Sequence, residues 1–111
     1  MPINSRNKGA RFEREIAAKL REYGFSDSAR GQQYCGLKGN ADVIGLPGIH
    51  IEAKHQEKLF PYDWMEQSKR DAKEGEIPIV IFKKNRRETL VQLRFEDFMK
   101  LYKEGGMIGD N

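Results

Sequence analysis

Hydrophobic residues recur at helical spacing in the first part of the chain, between about Lys8 and Tyr23. Glu13 interrupts the pattern because it lies within the apolar side of the predicted helix, whereas Glu15 points to solvent. Gly24 follows and is typical of a helix end. The apolar side consists of Phe12, Ile16, Ala17, Leu20 and Tyr23.

Two further helices are predicted in the second half of the chain. One begins at Pro61, a residue favoured in the first turn, and ends at about Glu74, before Gly75. The other begins near Phe95 and ends at Gly105, with apolar residues at positions i, i+3, i+4 and i+7. The inner face of the first carries Trp64, Met65, Ser68 and Ala72, with Gln67 on the flank; the apolar positions of the second are Phe95, Phe98, Met99 and Tyr102.

Strand-like runs lie between these helices. In the third run, apolar residues alternate with His50, Glu52 and Lys54, so a period of two places this polar triplet on one face of a sheet. The turn Leu46–Gly48 joins that run to the preceding one as a hairpin. The order α-β-β-β-α-β-β-α predicts an α/β (α+β) domain with a mixed sheet flanked by helices. The predicted strands are Phe25–Arg30, Ala41–Gly45, Ile49–Lys54, Ile77–Lys83 and Thr89–Arg94.

Composition excludes several classes of protein. The 111 residues are 38% hydrophobic, which suits one domain with its own core. We expect that domain to span residues 1–111, with loose tails at 1–7 and 106–111. The longest nearly apolar run, Ile77–Phe82, contains Pro78 and is far shorter than the roughly 20 residues of a transmembrane helix. No signal segment follows Met1, and the single Cys35 excludes an intramolecular disulfide. We therefore expect an intracellular, cytoplasmic protein without a membrane partner.

The charge is concentrated at one end of the chain. Residues 1–40 carry 8 basic and 4 acidic residues, a balance of +4, whereas the remainder carries 12 and 13. A basic N-terminal third favours an anionic partner such as nucleic acid. A solvated charged surface would have the same composition.

Three acids and one lysine are the candidates for chemistry. The predicted hairpin places Asp42 at the start of one strand and Glu52 midway along the next. Because adjacent strands lie about 5 Å apart, the two carboxylates can share a cation. Glu13 can reach the same position if the first helix packs on the sheet. In the alternative interpretation, Glu52 and Lys54 form an exposed cross-strand pair, and Asp42 and Glu13 are ordinary surface residues.

Converging carboxylates need a compensating charge, since an unpaired buried charge is strongly destabilising. Oxygen ligands in this number suit Mg²⁺ or Mn²⁺ rather than Zn²⁺. Lys54, on the same face as Glu52, would add a positive charge beside the metal. That combination suits phosphodiester hydrolysis, in which a metal activates water and an ammonium group stabilises the transition state.

Three segments of the sequence carry a resemblance to a known family. They are Lys8–Glu15, Asn40–Ile44 and Ile51–Lys54. Together they resemble the PD-(D/E)XK nuclease superfamily, and more closely the archaeal-type Holliday-junction resolvases and their phage-encoded relatives. The similarity covers roughly residues 8–103. It implies a restriction-endonuclease-like fold and a Mg²⁺-dependent endonuclease that acts on four-way DNA junctions as a homodimer.

The resemblance also implies roles for single residues. Asp42 and Glu52 become metal ligands together with the carbonyl of Ala53. Glu13 becomes a helix-borne acid at the metal site, and Lys54 the catalytic lysine. Gln67 resembles a glutamine that some branches of the superfamily place near the site, although a surface amide would look the same.

The sequence departs from the family pattern at two places. Ala41 stands where the family name has proline, which removes no ligand. The glycine-rich loop Gly31–Gly39 lacks the serine that archaeal resolvases often carry.

His50 could approach the metal or be an ordinary strand-end histidine. Candidate contacts to DNA are Arg30, Gln32, Gln33, Lys38 and Gln67.

Two other functions fit the same residues. One is a nicking or repair nuclease of the same superfamily with a different DNA substrate, and the other is a non-catalytic nucleic-acid-binding domain. The set of Glu13, Asp42, Glu52 and Lys54 favours an enzyme, because a binding module does not need it. The apolar segment Leu59–Trp64 is expected to be core, or alternatively a dimer surface.

Overall fold

A computed structural model describes residues 5–31 and 41–105. Their elements follow the order α-β-β-β-α-β-β-α, which confirms the predicted mixed α+β architecture. The helices are α1 (Ser5–Glu22), α2 (Pro61–Asp71) and α3 (Phe95–Glu104). The strands are β1 (Ala29–Arg30), β2 (Val43–Ile44), β3 (Ile49–His55), β4 (Ile77–Lys83) and β5 (Leu90–Leu93).

The described strands form one mixed sheet in the order β1-β2-β3-β4-β5. β2 and β3 pair antiparallel, with Val43 opposite Ile51, as expected for the predicted hairpin. β3 and β4 run parallel along their whole length, and α2 provides the crossover that parallel neighbours require. β4 and β5 are antiparallel. This topology places β3 in the middle of the sheet, where both of its faces can be covered.

The larger core lies between α1 and one face of the sheet. α1 turns its predicted apolar side to the strands, with the exception of Tyr23, which is 81% exposed. Tyr23 lies just beyond the end of α1 at Glu22, and Gly24 (φ 105°) turns the chain away. The buried members of this core are Phe12, Ile16, Ala17, Val43, Ile51, Ile79 and Ile81.

A smaller core lies on the opposite face, beneath α2. It contains Trp64, Met65 and Val80, and the buried Ser68 hydroxyl donates to the Ile79 carbonyl at 2.9 Å. The predicted inner face of α2 is thus confirmed for Trp64, Met65 and Ser68, which are buried. Because side chains alternate along a strand, the polar residues of β3 lie on this same side of the sheet.

Several boundaries differ from the prediction. Of the predicted strand Phe25–Arg30 only Ala29–Arg30 pairs in the sheet, because residues 25–28 form a hydrogen-bonded turn. α2 ends at Asp71, three residues earlier than predicted, since the next residue is extended (φ −68°, ψ 143°). α1 begins at Ser5, three residues earlier than predicted.

The segment Leu59–Trp64 is not a core cluster, so that prediction is wrong for three of its four large apolar residues. Trp64 is buried, and its ring lies 5.5 Å from that of Phe82. Leu59, Phe60 and Tyr62 are exposed. The reason is that α2 begins at Pro61, so of this segment only Trp64 lies on the face of the helix that meets the sheet. α3 also exposes apolar side chains, among them Phe95.

Residues 1–4, 32–40 and 106–111 lie outside the described residues. The predicted C-terminal tail, part of the predicted N-terminal tail and most of the glycine-rich loop therefore lie outside them as well. Within the described ranges, no helix is both long and apolar enough to cross a membrane.

Candidate active site

Asp42 lies immediately before β2, against the middle of the sheet. Its N–H donates to the Ile51 carbonyl at 2.9 Å, and its side chain turns to β3, where Oδ2 accepts the Ala53 N–H at 2.8 Å. Residues 51 and 53 have the same backbone orientation because a strand repeats every two residues. The polar backbone groups of Ala53 therefore face Asp42 and not β4.

Glu52 lies midway along β3 and is 2% exposed. Its Oε1 lies 2.8 Å from Nε2 of His50, which is also buried. Burial raises the pKa of Glu52, the hydrogen bond from His50 opposes this, and the neighbouring Asp42 carboxylate raises the pKa further. The net direction is upward, so the ionised Asp42–Glu52 pair is electrostatically unfavourable unless a cation or a proton offsets it.

Glu13 reaches the same region from α1. Its side chain is 12% exposed and its Oε1 accepts a hydrogen bond from Nε of Arg30 at 2.6 Å. Burial raises the pKa of Glu13 and so does the charge of Asp42, while Arg30 lowers it. Asp42 thus interacts with both Glu13 and Glu52, although 28 residues separate Glu13 from Asp42 in the chain.

Lys54 follows two residues after Glu52 and shares its side of β3 by strand alternation. Its Nζ donates to Oε1 of Gln67 on α2 at 2.8 Å. The flank of α2 therefore holds the ammonium group, and Gln67 is part of the site through Lys54.

The remaining predicted site residues divide into two groups. Arg30, expected to contact DNA, forms an ion pair with Glu13. Gln32, Gln33 and Lys38 lie outside the described residues. The contact between His50 and Glu52 was not predicted from the sequence. The feature that could have revealed it is the i, i+2 spacing of the two residues, which places both side chains on one face of an interior strand.

The donor set of the site is compatible with a hard divalent cation. Within the described residues, no three or more histidine, cysteine or acidic side chains are grouped so that they could hold a metal. Mg²⁺ in nucleic-acid enzymes is commonly held by one or two carboxylates, with water and substrate phosphate completing its shell. Asp42 and Glu52 provide two carboxylates, and their mutual repulsion is the condition that a cation relieves.

Fold and site together define a class of protein. A mixed sheet with an acid before β2, an acid and a lysine two residues apart in β3, and helices on both faces is the restriction-endonuclease-like arrangement of PD-(D/E)XK nucleases. The chain matches the family described as "Phage putative PDDEXK endonuclease" over residues 4–106. It belongs to that family, whose superfamily is in general dependent on divalent metal. No curated protein and no solved structure matches the chain significantly.

Proposed function

We propose that this endonuclease is a structure-selective Holliday-junction resolvase that uses Mg²⁺, with Mn²⁺ able to substitute, and acts inside the cell as a homodimer. In this proposal residues 1–111 form one nuclease domain. The observation that supports it best is the pairing of the half-buried Asp42 with the buried Glu52, with Lys54 two residues after Glu52 in β3, since two carboxylates are costly to hold beside each other away from water without a cationic ligand.

Asp42, Glu52 and the Ala53 carbonyl would hold the metal, with Glu13 as an additional acid at the edge of the site. The orientation of Ala53 toward Asp42, seen in its N–H bond at 2.8 Å, supports its carbonyl as a ligand. When bound, the metal would polarise a phosphate oxygen and lower the pKa of a water molecule.

Lys54 is the candidate catalytic lysine. Its ammonium group would orient the attacking water and stabilise the negative charge of the pentacovalent phosphate. Gln67 holds this ammonium at 2.8 Å, so that its position does not depend on the metal. A flexible lysine held in this way loses less conformational entropy when the substrate arrives.

DNA binding would rely on basic and amide side chains near the site. Arg30, paired with Glu13, and Lys38, Gln32 and Gln33 of the loop would contact phosphates. Gln67 would lie next to the cleaved strand. Because phosphate contacts release counterions, binding should weaken steeply with salt. Two active sites related by a two-fold axis would match the symmetry of a four-way junction.

The test is a cleavage assay that offers a four-way junction, a Y-shaped fork and a linear duplex, each with Mg²⁺, Mn²⁺ or EDTA. The proposal expects paired nicks in the junction with either metal and none with EDTA. Asp42→Asn is the control, since its amide oxygen can still accept the Ala53 N–H. Equal cleavage of all three substrates would favour a nicking or repair nuclease, and binding without cleavage in any metal would favour a non-catalytic domain.

A further inference from the structure

Glu52 is in contact with a second buried polar side chain, which the proposed chemistry does not use. Nε2 of His50 lies 2.8 Å from Oε1 of Glu52, and the two residues are 1% and 2% exposed. They are two residues apart in β3, so both side chains lie on the side of the sheet beneath α2. A polar pair is thus enclosed at the position of a proposed metal ligand.

The neighbouring strand offers this pair no further polar side chain. β4 runs parallel to β3, with Pro78 beside His50 and Val80 beside Glu52. Both residues of β4 are buried, and neither has a side chain that can donate a hydrogen bond. At these positions β4 therefore supplies no side-chain donor for the carboxylate of Glu52, whereas His50 does.

Glu76 approaches the other ring nitrogen of His50 but does not bind it. Its Oε1 lies 3.9 Å from Nδ1, which is beyond hydrogen-bond distance, and its side chain is 30% exposed. A contact that is open to solvent in this way is also screened by water and salt. The enclosed contact with Glu52 is therefore the stronger of the two interactions of the ring.

Stability alone does not explain a histidine at this position. Burying polar groups is costly, and replacing a buried ion pair by apolar residues of similar volume is often neutral or stabilising. A carboxylate that binds a metal must also be held in one orientation, although the terminal torsion of a glutamate side chain is broad. A donor beside Glu52 restricts that torsion.

We propose that His50 is a positioning residue for Glu52: its Nε2–H holds the carboxylate by Oε1 in the orientation that binds the metal. An ionised carboxylate only accepts hydrogen bonds, so Nε2 is the donor. The bond leaves Oε2, the oxygen that it does not engage, for a cation. This inference rests on the proposed role of Glu52 as a ligand. Outer partners of metal ligands typically contribute ~10–100-fold to metal affinity.

The second functional side chain of this face is held in a similar way. Nζ of Lys54 donates to Oε1 of Gln67 at 2.8 Å. The lysine and the carboxylate thus each have a hydrogen-bonded partner, one from α2 and the other from β3 itself. The bond of His50 is fully buried, whereas that of Lys54 is partly buried. Water can therefore replace Gln67 more readily than it can replace His50.

The test compares three substitutions of His50. His50→Gln keeps an N–H that can reach Oε1 of Glu52, His50→Leu fills the space without a donor, and His50→Asn keeps an amide that is too short to reach. The first readout is the Mg²⁺ concentration that gives half of the maximal Tm shift, which needs no DNA. We expect it to be ~10–100-fold higher for the Leu and Asn variants. His50→Gln should restore most of the wild-type value.

Cleavage of a four-way junction gives the second readout. At the Mg²⁺ concentration that half-saturates wild type, the occupancy of the Leu variant would be about one tenth to one hundredth. Its kcat should therefore be about 5–50-fold lower. KM should be unchanged, because the proposed contacts to DNA do not include His50. His50→Gln should recover most of kcat.

Ser68→Ala is the matched structural control. Ser68 is also fully buried beneath α2, but its hydroxyl donates to the Ile79 carbonyl at 2.9 Å. This variant loses one buried hydrogen bond, so its Tm in EDTA should fall. Its Mg²⁺ half-point and its kcat should remain those of wild type. The comparison with His50→Leu separates a loss of stability from a loss of metal affinity.

Three results would overturn the role of His50 and leave the proposed metal site intact. One is a wild-type Mg²⁺ half-point in the Leu and Asn variants, whatever their Tm in EDTA. Another is a Gln variant as impaired as these two, because the donor would then not matter. The third is a Ser68→Ala protein with an equally raised half-point. Absence of any Mg²⁺ shift in wild type would overturn the metal site and, with it, the role of His50.

Discussion

Ile51 and Glu52 are neighbours in β3 and are buried almost equally, at 0% and 2% exposed, but they face opposite sides of the sheet. Ile51 packs among apolar side chains beneath α1, and burying such a side chain contributes about 1.5–3 kcal/mol to folding. Glu52 meets His50 and the Asp42 carboxylate, and its pKa is raised by burial. One face of the strand thus stabilises the fold, while the other holds groups that would be more stable in water.

The difference between the two faces separates residues that stabilise the fold from residues that do not. A buried carboxylate with a raised pKa lowers the stability of the folded state at neutral pH. Burial of Glu52 is therefore not explained by stability, and the site is where a function has to be sought. The following predictions test whether the two faces really have separate roles.

The polar face of the sheet carries the carboxylates of Asp42 and Glu52. Replacing either one should have the largest effect on DNA cleavage and should not lower stability. Asp42→Asn and Glu52→Gln should each lower cleavage by more than ~100-fold, since even outer partners of a metal contribute 10–100-fold. The Tm in EDTA should stay equal to that of wild type or rise, because the amide removes a repelling charge and keeps an acceptor. Cleavage assays beside thermal melts measure both. Normal cleavage by both variants would assign these residues to structure.

The apolar face should show the reverse pattern. Ile51→Ala removes a fully buried side chain and should lower the free energy of unfolding by about 2–5 kcal/mol, through lost burial and a cavity. Activity per folded molecule should be nearly unchanged at a temperature where the variant is folded. Chemical denaturation measures the loss. A variant that keeps its stability but loses cleavage would show that the two faces are not separate.

The sequence allowed much of this comparison to be predicted. Period-two alternation from Ile49 to Lys54 indicated two chemically different faces, and the order of elements was confirmed. The contacts of His50 with Glu52 and of Lys54 with Gln67 needed the structure, because strand and helix packing determine them. The exposure of Tyr62 could not be read from hydrophobicity, since burial depends on where α2 begins.

A divalent cation that binds the carboxylates of the polar face should stabilise the folded protein. Mg²⁺ should raise the Tm of wild type, because a ligand of the folded state adds RT ln(1 + [L]/Kd), about 2.7 kcal/mol at 100 times Kd. Asp42→Asn and Glu52→Gln should lose most of this shift. Lys54→Ala should keep it or enlarge it while losing cleavage, since it removes a positive charge near the acids. A full shift in the two carboxylate variants would contradict a metal site at Asp42 and Glu52.

The smallest expected effect is the pH dependence of Glu13, at the edge of the polar face. Its pKa is raised above the ordinary value of 4.5, first by burial and then by Asp42, in spite of Arg30. The folded state therefore binds the proton more tightly than the unfolded state. The destabilisation is complete above the raised pKa and is relieved as the pH falls through it toward 4.5. Compared with Glu13→Gln in EDTA, wild type should thus gain free energy of unfolding as the pH falls through this window. Parallel denaturation curves of the two proteins measure the difference. A difference that stays constant or changes in the opposite direction would show that burial and Asp42 do not raise the pKa of Glu13.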